Sequence, residues 1–156
     1  MAVDYGPDEP FCDRPVVITS VLGASVAYES SAHATRVDND VQSFTDATLA
    51  AADLGASRAL VEGCPISTAT FDGVEYVIGI LPYPDSPTYG DDTFVALQVA
   101  VGERVTLSRA IGAVRYGRNL VSVGFGVIGR VFSTADEEAF NALLEVAANR
   151  LAKLPR

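Results

Sequence analysis

The chain has 156 residues, enough for one domain that buries its own core without help from a metal or a second subunit. Its 49% apolar content excludes a disordered class, and no apolar run is long enough to span a membrane as a helix. With 11 basic against 20 acidic residues the net charge is −9, which repels nucleic acid and anionic lipid, so no nucleic-acid partner is expected.

Met1 leads into the polar, proline-containing Ala2 to Pro10, with no signal peptide, lipobox or transit sequence. Residues 1–14 read as an extended arm or linker, and 15–156 as a single α+β domain. Cys12 and Cys64 form neither a CxxC nor a metal-type cluster. A single long-range disulfide is their simplest joint use, and two unrelated buried thiols is the alternative. Val16 to Val21 and Ala24 to Glu29 are β-prone, and Thr35 to Phe44 can continue in extended form. Asp46 can cap a helix whose apolar stripe runs through Leu49, Ala52, Ala56, Ala59 and Leu60, ending at Gly63. Ile66 to Phe71 and Val74 to Leu81 flank Asp72-Gly73, a hairpin signal that pairs Phe71 with Val74. A loop with three prolines follows, from Pro82 to Asp92.

Thr93 to Val127 reads as three strands of period two. Val95, Leu97, Val99 and Val101 lie on the first, Val105, Leu107, Ile111 and Ala113 on the second, Val121, Val123, Phe125 and Val127 on the third. These sets share one face only if both connections hold an odd number of residues. That selects three-residue turns at Gly102-Glu103-Arg104 and Gly117-Arg118-Asn119. A two-residue Gly102-Glu103 turn is the competitor. Thr134 and Glu137 form a capping-box signature before a helical stripe of Phe140, Leu143, Leu144, Ala147, Leu151 and Leu154. The expected fold is α+β, an antiparallel sheet of five or more strands with two main helices packed on one face.

No catalytic constellation, cofactor motif or metal site emerges. Gly124, Gly126 and Gly129 match GxGxxG, but a dinucleotide fold would continue into a helix and a parallel strand bearing an acid, and no strand follows. A glycine-rich strand end that needs close packing is the better reading. His33 has no grouped partners and reads as a surface residue, while Asp85, Asp91 and Asp92 lack the alternating spacing of a calcium loop. Parity places Arg109 between Leu107 and Ile111, opposite Leu97 in the preferred register. A guanidinium there needs a partner, either an acidic residue within the fold or an anionic ligand. Arg115 shares its parity. The opposite face, bearing Gln98, is left open if both helices cover the apolar one, with Tyr83 and Tyr89 of the proline-rich loop as contact residues. Arg109, Arg115, Gln98, Tyr83 and Tyr89 are therefore the candidate ligand-binding residues.

From Val41-Gln-Ser-Phe-Thr-Asp46 into a helix ending at Cys64, through strands to Ala113-Val-Arg-Tyr-Gly-Arg-Asn-Leu-Val-Ser-Val123 and a closing amphipathic helix, the chain resembles the extracellular sensor domains of mycobacterial PknH-type serine/threonine kinases and related actinobacterial lipoproteins. It lacks those kinases' second cysteine pair and the Trp before the helix-end cysteine. The resemblance implies a disulfide between Cys12 and Cys64. It further implies a non-catalytic domain outside the membrane, anchored in the full-length protein, whose cleft binds an unidentified small molecule or cell-envelope component. A protein-interaction module using an open sheet face or edge, and a small intracellular enzyme with an unseen site, are the alternatives.

Overall fold

The computed structural model describes residues 20–71, 73–83 and 86–155, so the expected arm 1–14, Cys12, Asp72 and Asp85 lie outside the described residues. In chain order the elements are β1 (Leu22–Ser30), β2 (Thr35–Ser43), α1 (Ala47–Gly63), β3 (Ile66–Phe71), β4 (Val74–Pro82), β5 (Asp92–Gly102), β6 (Thr106–Tyr116), β7 (Asn119–Ile128) and α2 (Thr134–Leu151). The strands form one sheet in the order β1-β2-β7-β6-β5-β4-β3, antiparallel at every pair. The α+β class and the antiparallel sheet are as the sequence implies.

Two hairpins show how turn chemistry sets register. Phe71 pairs with Val74, as the Asp-Gly signal predicts, and Gly73 sits at φ 75° where a left-handed residue is needed. Between β6 and β7, however, Tyr116 pairs with Asn119, so the turn is Gly117-Arg118 alone, with Gly117 at φ 56°. Between β5 and β6 the pair is Val101 with Thr106, leaving Gly102 to Val105 as the connection, closed by a Gly102 N–H donating to the Val105 carbonyl at 3.0 Å. Both connections are even, not odd. Every side chain of β6 is therefore turned over relative to the expected register, and Arg109 lies opposite Gln98, not Leu97. Because two even turns compose as two odd ones do, β5 and β7 still present their valines to the same side.

The helices occupy opposite faces of the sheet, which corrects the expectation of one shared face. Phe140, Leu144, Ala147, Ala148 and Leu151 of α2 pack on Val95, Ala110, Val114, Val121, Val123, Phe125 and Val127. On the other face Ala50 and Leu54 of α1, with Phe44, cover Ala113 and Leu120, while Val61 meets Ile80 and Ala96. Strand β6 is thus covered on both sides over Gly112 to Val114, and such a strand has no reason to alternate apolar with polar. The stripe expected on α1 is also corrected: Ala50, Leu54 and Val61 are buried, while Leu49 is exposed. The helix is alanine-rich on most faces, so its sequence gives no sharp apolar stripe to read.

Both helix starts are capped as their sequences require. Asp46 accepts hydrogen bonds from the Thr48 and Leu49 N–H groups at 2.8 and 3.0 Å. In α2 the capping box is Ser133 with Asp136, one residue earlier than Thr134 with Glu137. Asp136 is buried, accepts from the Ser133 N–H at 2.8 Å, and is gripped by Arg130, whose Nη2 donates to Oδ1 at 2.8 Å. The Arg130 hydrogen bond, and after it those from Ser133, hold the Asp136 carboxyl well below the ordinary carboxylate range.

Two outcomes are expected. A Cβ at Gly112 would come within 2.9 Å of Leu144 and Phe140, so Gly112→Val should cost about 1–3 kcal/mol in urea unfolding through overpacking against α2. Because the carboxyl of Asp136 is more acidic folded than unfolded, its contribution is complete above the ordinary value of 3.8 and is lost as pH falls below it. Asp136→Asn should therefore lower stability at neutral pH and flatten the loss of stability below about pH 4, measured by unfolding at a series of pH values.

Candidate functional site

Helix α1 covers only part of its face of the sheet, and beside it the sheet carries a trough of about 330 Å³. Cross-strand register explains its shape. One transverse row runs Glu29, Arg36, Gly126, Arg109, Gln98, and the next row toward α1 runs Ala27, Asp38, Gly124, Ile111, Ala96. At β7 both rows hold glycine. The strand therefore contributes floor without side chains, between walls supplied by Arg36 and Asp38 of β2 and Arg109 of β6.

Across that floor the Arg109 Nη2 donates to the Asp38 Oδ2 at 2.6 Å, bridging two strands that are not neighbours. The pair exists because Gly124 lies beneath it: a Cβ there would fall 2.5 Å from the Arg109 Nη2 and 2.6 Å from both carboxylate oxygens of Asp38. A Cβ at Gly126, by contrast, would meet nothing nearer than 3.7 Å. Both side chains are partly open, 30% exposed for Arg109 and 28% for Asp38, and the bond between them is single. The guanidinium and the carboxylate each retain capacity for another partner. At the rim the Arg36 Nη1 donates to the Glu29 Oε1 at 3.0 Å.

Gln98 completes the trough at its β5 end. It is 7% exposed, and among the described residues no hydrogen bond to its side-chain amide is present. Its amide atoms are not sealed from solvent, so its two donors and its carbonyl acceptor face the trough and are available to whatever occupies it. Beyond it Ile128, Leu107 and Ala100 form the next row, an apolar shelf. On the α1 side Asp40 lies on the same sheet face, and burial followed by the charge of Asp40 pushes the Asp53 carboxyl of α1 upward.

Of the residues singled out in the sequence, Arg109 and Gln98 come together in the trough. Arg115 lies on the same face six positions further along β6, with its Nη1 donating to the Gly117 carbonyl at 3.2 Å and 3.7 Å from Asp91; its Nε is buried without a partner among the described residues. Tyr83 and Tyr89 pack on the α2 side, and burial followed by the charge of Glu145 pushes the Tyr89 hydroxyl upward. Asp91 and Asp92 are engaged with Arg115 and Arg58, and among the described residues no group of acids, histidines and cysteines is arranged to hold a metal ion. His33 is exposed in the β1–β2 turn. Sequence reasoning missed Asp38, Arg36 and Glu29, which are distant from Arg109 in the chain. It read Gly124 and Gly126 as a strand end that needs close packing, which Gly124 bears out, but gave no sign that the group packed over Gly124 is an ion pair.

No protein-family model matches the chain, and no curated protein matches it in sequence. Among solved structures it is similar to the extracellular domain of PknH from Mycobacterium tuberculosis, with a TM-score of 0.55 at 17% identity. The match covers 82% of this chain and 63% of that one, so this chain spans less than two thirds of that domain. At this identity the likeness establishes a shared fold. No helix among the described residues is long and apolar enough to cross a membrane.

The two glycines should separate stability from site shape. Gly126→Ala, which has room, should change stability by less than about 0.5 kcal/mol while adding a methyl to the trough floor. Gly124→Ala must push Arg109 from Asp38; because both groups are partly exposed and screened, the cost should be only about 1 kcal/mol. Urea unfolding of both variants checks the ranking.

Proposed function

We propose that this chain is a non-catalytic sensor or ligand-binding domain that works outside the cytoplasmic membrane of an actinobacterial cell, and that the trough over Gly124 and Gly126 is its ligand site. The observation that carries the reading is the concavity itself, which presents the half-open ion pair of Arg109 and Asp38 over a bare floor with the Gln98 amide at its end. A few polar groups converging on a concavity with apolar walls are what orients a bound small molecule. The shared fold with the extracellular domain of PknH supports the sensor role and the compartment. In this reading Cys64, which caps α1, bridges to Cys12 and ties the N-terminal arm to the helix exit, and the full-length protein is anchored at the membrane.

Titration of isotope-labelled protein with a library of small polar compounds tests the reading. Hits should move the amide signals of Gln98, Arg109 and Gly126 together; hits confined to other surfaces, or none, would count against it. Arg109→Leu should cost no more than about 1 kcal/mol, since Asp38 keeps access to water, and should abolish binding of any hit. Intact mass before and after reduction and alkylation checks the bridge: two thiols alkylated without reduction would remove it.

A further inference from the structure

We infer that the trough takes a free α-amino acid with a small aliphatic side chain, recognised through its ammonium and carboxylate together. The inference rests on the reading of the trough as a ligand site and adds the ligand's chemical class. Charge balance is the first argument. The four ionised side chains that line the trough are Glu29, Arg36, Asp38 and Arg109, which sum to zero. A simple anion approaching Arg109 meets Asp38, whose carboxylate is 2.6 Å from the guanidinium, and a simple cation approaching Asp38 meets Arg109. A zwitterion satisfies both, its carboxylate on the open edge of the guanidinium and its ammonium on the free oxygen of Asp38.

The order of the rows supplies the second argument. Asp38 lies in the row toward α1, Arg109 and Gln98 in the middle row, and Ile128, Leu107 and Ala100 in the row beyond. Rows on one face are about 6.5–7 Å apart, two residues of strand. The guanidinium reaches over Gly124 into the Asp38 row, so an amino acid whose charged head meets the pair there sets its side chain over the bare floor at Gly126, on the side of the apolar shelf. The lining residues include no aromatic side chain, so the trough lacks the stacking surface that sugars and quaternary amines favour. Its volume of about 330 Å³ lies at the small end of ligand sites, adequate for one amino acid.

The test compares L-leucine with isocaproate, which lacks the amine, and isoamylamine, which lacks the carboxylate, by amide chemical-shift titration of the whole chain. L-leucine should shift Gln98, Arg109 and Gly126 and bind at least about tenfold more tightly than either analogue, the loss expected for one charge-assisted contact. Asp38→Asn and Arg109→Gln, each checked for unchanged signal dispersion, should weaken L-leucine binding by a similar factor. Asp38→Asn alone should strengthen isocaproate binding, because it removes the repelling charge. Either analogue binding as tightly as L-leucine overturns the inference. So does a trough that responds to glucose or inorganic phosphate and not to L-leucine, although the trough then stands as a ligand site. Silence with every one of these probes overturns the amino-acid class, and the wider library decides separately whether the trough binds anything.

Discussion

Strand β6 is entered from β5 through four residues and left toward β7 through two, and that even parity decides which side chains meet. A slip of one residue would turn every β6 side chain to the other face. With the observed parity Ala110, Gly112 and Val114 face α2, where Gly112 gives Leu144 and Phe140 the room to approach, and Ile111 and Ala113 face the α1 side. Arg109 then falls on the side α1 leaves partly uncovered, level with Gln98 and Gly126. Had it faced α2, a guanidinium would have been pressed into the main apolar cluster with no acid beside it, an arrangement whose desolvation penalty nothing would offset.

The trough follows from that parity and from the two glycines of β7. Gly124 is occupied from above by the ion pair, so its missing side chain is structural; Gly126 has space above it, so its missing side chain is what keeps the trough open. The pair itself contributes little to stability, since both partners are partly in water and screened. Its consequence is geometric. It holds a positive and a negative group at fixed positions over a bare floor, in a chain whose overall charge of −9 offers no general attraction to anions.

Much of the fold was legible in the sequence. The Asp-Gly signal set the pairing of Phe71 with Val74, and the Val121 to Val127 alternation of β7 and the Phe140 to Leu151 stripe each put one apolar set into the cluster between sheet and α2. Strand β6 did not, because Leu107, Ile111 and Ala113 form one apolar set while Ala110, Gly112 and Val114 form another, and a strand covered on both sides needs both. The turn residues favoured neither parity, and the pattern was given more weight than it could bear. The face chosen by α1 was unreadable for a related reason: alanines surround the helix, and the buried positions Ala50, Leu54 and Val61 differ little in kind from the exposed ones. Arg109 and Gln98 were visible as polar residues on apolar strands, but Asp38 was not, because its partnership depends on β2 lying against β7 after a long excursion through α1 and four strands.

The register of the three central strands is the point on which both the buried core and the trough depend, and cross-strand backbone nuclear Overhauser effects measure it directly. The account predicts contacts that place Gln98, Arg109 and Gly126 in one row, with Val101 opposite Thr106 and Tyr116 opposite Asn119. Contacts that place Arg109 opposite Leu97, and Val101 opposite Val105, would contradict it.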